Sequence, residues 1–328
     1  MELFINISLL SLLLVTTLGI ILSRDLLAVI MLSGIYGFLS ASFFVLMDAV
    51  DVAFTEAAVG SGISPLLMLL TVALVGRHEK QNPGRGLPAL VLVTITGALL
   101  IIGTLSMPDF GSANAPAQTH VGPYYIEQSA AEIGIPNIVT SVLASYRGFD
   151  TFGEVAVVFT AGIGVLSLLM LKSSTPETPA VTSAHKHKIL RIVSKILIPP
   201  ILLFSLYVQF HGDYGPGGGF QAGVIFAAAI ILYTMFFGVD IAQQVVSSAL
   251  LRVLAAFGVL LYGSVGLVSM LNGGTFLDYS ALADNPITGQ HIGIIVIELG
   301  VGMTVAAVMV MIFYCFAGQV NTAREADE

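Results

Sequence analysis

Residues 292–316 read Ile292-Gly-Ile-Ile-Val-Ile-Glu298-Leu-Gly-Val-Gly-Met-Thr-Val-Ala-Ala-Val-Met-Val-Met-Ile-Phe-Tyr-Cys-Phe316, with Glu298 the one charged residue. As a helix such a run crosses a hydrocarbon core of roughly 30 Å. Eight more runs of the same kind occur, at about 3–22, 26–47, 52–75, 87–106, 152–171, 190–210, 218–238 and 249–271. The composition agrees. Of 328 residues 56% are hydrophobic and 10% charged, against about 25% charged in a soluble domain. The expected fold is an all-α integral membrane protein of about nine transmembrane helices. A net charge of −8 argues against nucleic-acid binding. A lone cysteine, Cys315, excludes a disulfide framework and a cysteine-based metal centre. The first run is read as a retained span, because Glu2 and no basic residue precede it.

Basic residues set the orientation. With the N-terminus outside, Arg24, Arg77, Lys80, Arg85, Lys172, Lys186, Lys188, Arg191, Lys195, Arg252 and Arg324 all fall at the inner side. Arg147 alone falls outside. Positive charge concentrates on the cytoplasmic side, so the expectation is N-out and C-in.

Polar inner segments divide the chain into three blocks, at 1–80, 87–172 and 186–328. Residues Gly76–Gly86 form a turn-rich basic linker, and Lys172–Lys188 reads as a flexible one, rich in Ser, Thr and Pro. The outer loop between spans four and five is too long for a bare connection. Apolar spacing there predicts short surface helices over Tyr124–Gly134 and Asn137–Arg147, with Pro123 and Pro136 at their starts. A further short interfacial helix is expected over Asp240–Ser248.

Ionisable groups inside spans are costly and therefore informative. Asp51 and Glu56 lie in span three, Glu154 opens span five, and Glu298 is deepest by sequence. His291 is seven residues before Glu298, on the same helical face. These groups could pass protons or cations, or Glu298 could simply bond a neighbouring helix. In a regular helix Asp51 and Glu56 face different ways. Gly60, Gly62 and Pro65 follow and can distort the backbone, freeing carbonyls for an ion path, or can serve close packing. At Glu56 this setting could make proton and cation occupancy mutually exclusive. Glu154 could pair with Arg147 or face a water-filled entry. Lys195, one turn beyond Arg191, is placed to snorkel to the inner surface.

The most distinctive string is His211-Gly-Asp213-Tyr-Gly-Pro216-Gly217-Gly218-Gly219-Phe-Gln-Ala-Gly223, joining spans six and seven. Its glycines permit positive φ and close helix contact, and Gly219-x-x-x-Gly223 is a packing motif. With no Gly-Lys-Ser/Thr ending it is not a phosphate loop. His211 and Asp213 could capture protons or cations at a mouth, or the string could be a rigid turn. Pro199-Pro200 should kink span six. No cofactor or resident metal is expected, beyond a transient cation.

That string resembles the signature of the MnhB (MrpB) subunit of Mrp-type cation/proton antiporters. Asp51-Val-Ala-Phe-Thr-Glu56-Ala-Ala-Val-Gly resembles the MbhD-type domain of the MrpA C-terminal region. Pro123-Tyr-Tyr-Ile-Glu, with Arg147-Gly-Phe-Asp-Thr-Phe-Gly-Glu154, is similar to the MbhE-type domain. The resemblance implies a fusion of the MrpA tail with MrpB. It further implies a subunit of a multi-subunit Na⁺/H⁺ antiporter in a bacterial or archaeal cell membrane. Its partners would then be the large antiporter-like subunits, the small membrane subunits and lipid. The competing readings are a membrane-arm subunit of an energy-converting hydrogenase or related redox pump, and a scaffold that carries no ion.

Overall fold

The computed structural model describes residues 2–80, 86–109, 111–170 and 188–327. The linker expected at Lys172–Lys188, with Lys172 and Lys186, lies largely outside the described residues, as do Asn82, Pro83, Gly84 and Arg85. Among the described residues nine helical stretches are long and apolar enough to cross a membrane. The extended structure among them is one isolated bridge, Asp25 with His78.

The spans are α1 (Glu2–Leu22), α2 (Leu26–Leu46), α3 (Val50–Ala58) continued by α4 (Ser64–Val75), and α5 (Gly86–Thr104). Short helices α6 (Gly122–Glu132) and α7 (Ile138–Thr140) precede α8 (Gly148–Met170). Then come α9 (Lys188–His211), α10 (Gly219–Phe237), the short α11 (Val239–Val245), α12 (Ser248–Leu271) and α13 (Pro286–Asp327). Caps mark several starts. The Asp25 carboxylate accepts from Leu27 N–H at 3.0 Å, and Ser247 Oγ from Leu250 N–H at 3.2 Å.

Three sequence expectations meet the structure with differences. The segments 122–132 and 239–245 are helical, but 138–146 is one α turn followed by a π-helical stretch, Ser141–Tyr146. Pro199 and Pro200 sit inside α9, which runs through them as a continuous helix. Span nine is longer than its apolar core, because α13 begins at Pro286 and ends at Asp327.

α13 is the central element, with α8, α10 and α12 packed around it and α4 against its side. Ile294, Ile297 and Val305 on it are fully buried. Small residues set the separation. A Cβ at Gly223 would sit 2.7 Å from the Gly302 carbonyl oxygen, and one at Gly258 would strike the Gly300 carbonyl. Such backbone-to-backbone approach is how helices adhere in lipid, where burial of apolar surface supplies no drive. α5 differs: it has no buried residue.

Between α3 and α4 the backbone is a π-helix over Val59–Ile63. A Cβ on Gly37 of α2 would lie 2.7 Å from the Gly60 carbonyl carbon, so at Gly60 the backbone is both irregular and closely packed. At one end of the bundle Asp25 and Arg77 form a bidentate pair at 2.6–3.0 Å, tying the α1–α2 turn to the end of α4. Arg191 and Lys195 lie 4.8 and 5.4 Å from the centre of the Phe237 ring. Near the opposite end Glu132 accepts from the Tyr124 and Tyr146 hydroxyls at 2.9 and 2.5 Å. Partial burial, and then Glu132, push the Tyr146 phenol up.

Candidate functional site

The glycine string folds as a tight loop because its residues lack the side chains that would forbid it. Gly218 sits at φ +122°, a conformation L side chains rarely adopt. Its N–H returns to the Val208 carbonyl at 3.1 Å, closing the loop over the end of α9. α10 then starts at Gly219 with its first N–H groups unpaired within the helix. Glu298 of α13 answers them: its carboxylate accepts from Gly219 N–H in a short hydrogen bond. A carboxylate at a helix N-terminus also gains from the aligned peptide dipoles. A Cβ on Gly218 would come within 3.0 Å of the Glu298 carboxylate, so this loop leaves room for the acid.

α3 meets the same loop. Asp51 Oδ1 accepts from Gly217 N–H at 3.3 Å. One turn on, Gln221 Nε2 donates to Thr55 Oγ1 at 2.9 Å, and the Thr55 hydroxyl donates to the Asp51 carbonyl at 3.1 Å. On the other side Asp213 Oδ2 and His291 Nδ1 stand 3.4 Å apart.

Two cavities flank Glu298. One, of about 220 Å³, is lined by Asp51, Thr55, Glu154, Gln221 and Glu298, with apolar residues of α8 and α13. The other, of about 200 Å³, is lined by Gln209, Asp213, His291 and Glu298. Glu298 and Thr140 belong to both walls. The structure therefore brings Asp51, Glu154, Glu298, Asp213 and His291 around one loop. Glu56 and His211 are not among the residues lining either cavity. The Glu56 carboxyl folds over Gly60 beside the π turn, and the His211 ring stacks on Tyr207 with 4.8 Å between centroids.

One suggested contact is corrected. Arg147 pairs with Asp150 at 2.6 Å rather than with Glu154. Asp150 is three residues away, near enough for the guanidinium at the start of α8. Glu154 is a further turn along and lines the first cavity instead.

Four polar residues of the site escaped the sequence reading. Thr55 and Gln221 are neutral, so a search for charges passed over them, although a glutamine inside an apolar span is itself a signal. Asn137 and Thr140 lie in the long connection between spans four and five, where polar residues are ordinary. Asn137 Nδ2 donates to the Gly212 and Gly215 carbonyls at 3.1 and 2.9 Å. Thr140 Oγ1, buried, donates to the Gly212 carbonyl at 2.6 Å.

Among the described residues nine helices have the length and composition to cross a membrane, and ionisable groups from three of them gather with Asp213 around one glycine-rich loop and its two cavities. Three family models match along the chain. MbhD, which describes the D subunit of MBH, matches residues 11–77, and MbhE, which describes the E subunit of MBH, matches 91–188. MnhB, a "Domain related to MnhB subunit of Na+/H+ antiporter", matches 189–311. A Staphylococcus aureus protein named "Putative antiporter subunit mnhB2" is 35% identical over 135 residues, 94% of its length and 40% of this chain. The chain belongs to the MnhB family of antiporter subunits, with MbhD and MbhE domains ahead of the MnhB domain in one polypeptide.

A Rhizobium meliloti protein, named as the probable A/B subunit of a K(+)/H(+) antiporter, is 25% identical across 92% of this chain. This chain spans 33% of that protein's length. Among solved structures, a chain of the Mrp complex from Dietzia sp. DQ12-45-1b superposes with TM-score 0.75 and 26% identity, covering 94% of this chain and 34% of that one. A chain of the archaeal membrane-bound sulfane sulfur reductase superposes with TM-score 0.52 and 28% identity, covering 70% of this chain and 97% of that one.

Proposed function

We propose that this chain is a subunit of a multi-subunit Na⁺/H⁺ antiporter of the Mrp type, a secondary transporter subunit rather than an enzyme. It contributes part of a proton or cation path and scaffolds the large antiporter-like subunits. The observation that carries the reading is the position of Glu298 on the walls of both cavities. A carboxylate reached from two sides can take a proton from one and give it to the other. The Gly219 N–H bonds the carboxylate, and protonation weakens that bond and frees the side chain to turn. Asp51 and Glu154 line the first approach, and Asp213 with His291 the second. Glu56, at the π turn, is a separate candidate for exchange of a proton against a cation.

The chain lies N-out and C-in in a bacterial or archaeal cell membrane, with 122–146 at the outer surface. Its modules are 1–80, 87–172 and 186–328. α3 and α10 start side by side at Asp51 and Gly217, which puts Arg77, Arg191 and Lys195 together at the opposite end.

The likeness to the sulfane sulfur reductase chain favours a second reading, a membrane-arm subunit of an energy-converting hydrogenase or related redox pump. The Mrp superposition is broader and higher-scoring, and supports the first. Purification through a tag on this chain separates them. Co-purifying large antiporter-like subunits support the antiporter, and subunits with metal-ligating cysteines support the redox pump. Within the antiporter, Glu298→Gln should abolish Na⁺-dependent proton movement in membrane vesicles while the complex stays at normal level. Undiminished exchange would remove Glu298 from the path.

A further inference from the structure

The loop that meets Glu298 is held from outside its own module. Asn137 reaches it three ways: Nδ2 to the Gly212 and Gly215 carbonyls, and backbone N–H to the Asp213 carbonyl at 3.0 Å. Thr140 adds the buried bond to the Gly212 carbonyl. All four bonds run from the 137–140 segment to 212–215, across more than seventy residues of sequence. The free amide oxygen of Asn137 caps α7 by accepting from Val139 N–H at 3.0 Å, which fixes the direction of its Nδ2. Downstream of the clasped residues, the same loop presents Gly217 N–H to Asp51 and Gly219 N–H to Glu298.

We infer that Asn137 and Thr140 are positioning residues for ion exchange, clasping the 212–219 loop so that its N–H groups and Asp213 stay aimed at the carboxylate path. This rests on the reading of Glu298 as a proton carrier. Thr140 borders both cavities, but its hydroxyl is spent on the Gly212 carbonyl. The effect of the clasp is to hold the N–H that bonds Glu298, and to hold Asp213 3.4 Å from His291. A looser loop weakens both restraints. The Glu298 carboxylate then loses its fixed partner, and the pH dependence of exchange changes. Groups facing Glu298 are Asp213 from the loop and His291 from its own helix, with Asp51 from α3 and Glu154 from α8 around the first cavity.

The test uses the full chain in its assembled complex. Thr140→Val removes the hydroxyl and keeps the shape, while Thr140→Ser retains the donor. Asn137→Asp keeps the cap on Val139 and replaces the donating nitrogen by an oxygen that faces two carbonyls. Thr140→Val and Asn137→Asp should slow Na⁺-dependent proton movement by about tenfold, the loss of one or two well-made hydrogen bonds. They should also shift its pH profile and speed amide hydrogen exchange in 212–219, with the complex at normal level. Thr140→Ser should restore all three. Unchanged amide exchange in both variants overturns the clasp. Faster amide exchange with an unshifted pH profile overturns its role in transport. Glu298→Gln is run in parallel. If it transports normally, the proton-carrier reading fails, while the amide exchange still reports on the clasp by itself.

Discussion

Glu298 and Glu56 are both acids in apolar helices, and their surroundings separate them. Glu298 bonds the first N–H of a neighbouring helix and borders two cavities, whereas Glu56 lies over a glycine of its own helix. The expected result is graded. Glu298→Asp, which keeps the charge but shortens the reach, should retain part of the exchange that Glu298→Gln loses. Glu56→Gln should impair Na⁺-dependent proton movement without loss of assembly, and normal transport by that variant would make Glu56 a packing residue. Outside the spans, Arg77 beside Asp25 holds its carboxyl down to about 2. A depressed pKa stabilises the folded state above the ordinary carboxylate value near 3.9, and that contribution is lost as pH falls towards about 2. Asp25→Asn should therefore lower the melting temperature of the complex near neutral pH. The gap from wild type should close on acidification between about pH 4 and pH 2, and a gap independent of pH there would exclude this pair as its source.

Among the elements, α13 carries the architecture because three helices rest on it through small residues. Gly223 meets the Gly302 carbonyl and Gly258 meets the Gly300 carbonyl, with no room for a methyl group. Gly223→Ala or Gly258→Ala should push α10 or α12 away from α13 and cost about 1–3 kcal/mol, the usual range for overpacking. The yield and detergent-heat stability of the purified complex measure this. By contrast Gly97 of α5 has no neighbour within 4 Å of an added Cβ, so Gly97→Ala tests the specificity of the effect. A similar loss at Gly97 would mean that α5 packs against another subunit. The π turn at Val59–Ile63 is where sequence patterns stop being informative: Gly60, Gly62 and Pro65 announce an irregularity, but not which irregularity.

For the whole molecule the topology makes a plain prediction. In a cysteine-free background, a cysteine at the exposed position Ala130 should be labelled by an impermeant reagent in intact cells, and one at exposed Glu79 should not. The reverse pattern would invert the assigned orientation. Sequence alone determined the class: charge is scarce, the apolar runs are each long enough to span a membrane, and a hydrocarbon core admits only helices or barrels for such runs. It also marked the glycine string and the carboxylates within the apolar spans, because glycine and charge are conspicuous in an apolar background. What only the tertiary structure decided is which of those groups meet. Asp51 and Gly217 are 166 residues apart, and Gly219 and Glu298 are 79 apart. Helical periodicity gives the face on which a residue lies but not the helix that faces it. That choice is made by shape, where glycines let backbones touch, and by hydrogen bonds such as those of Asn137 and Thr140, which no local pattern announces.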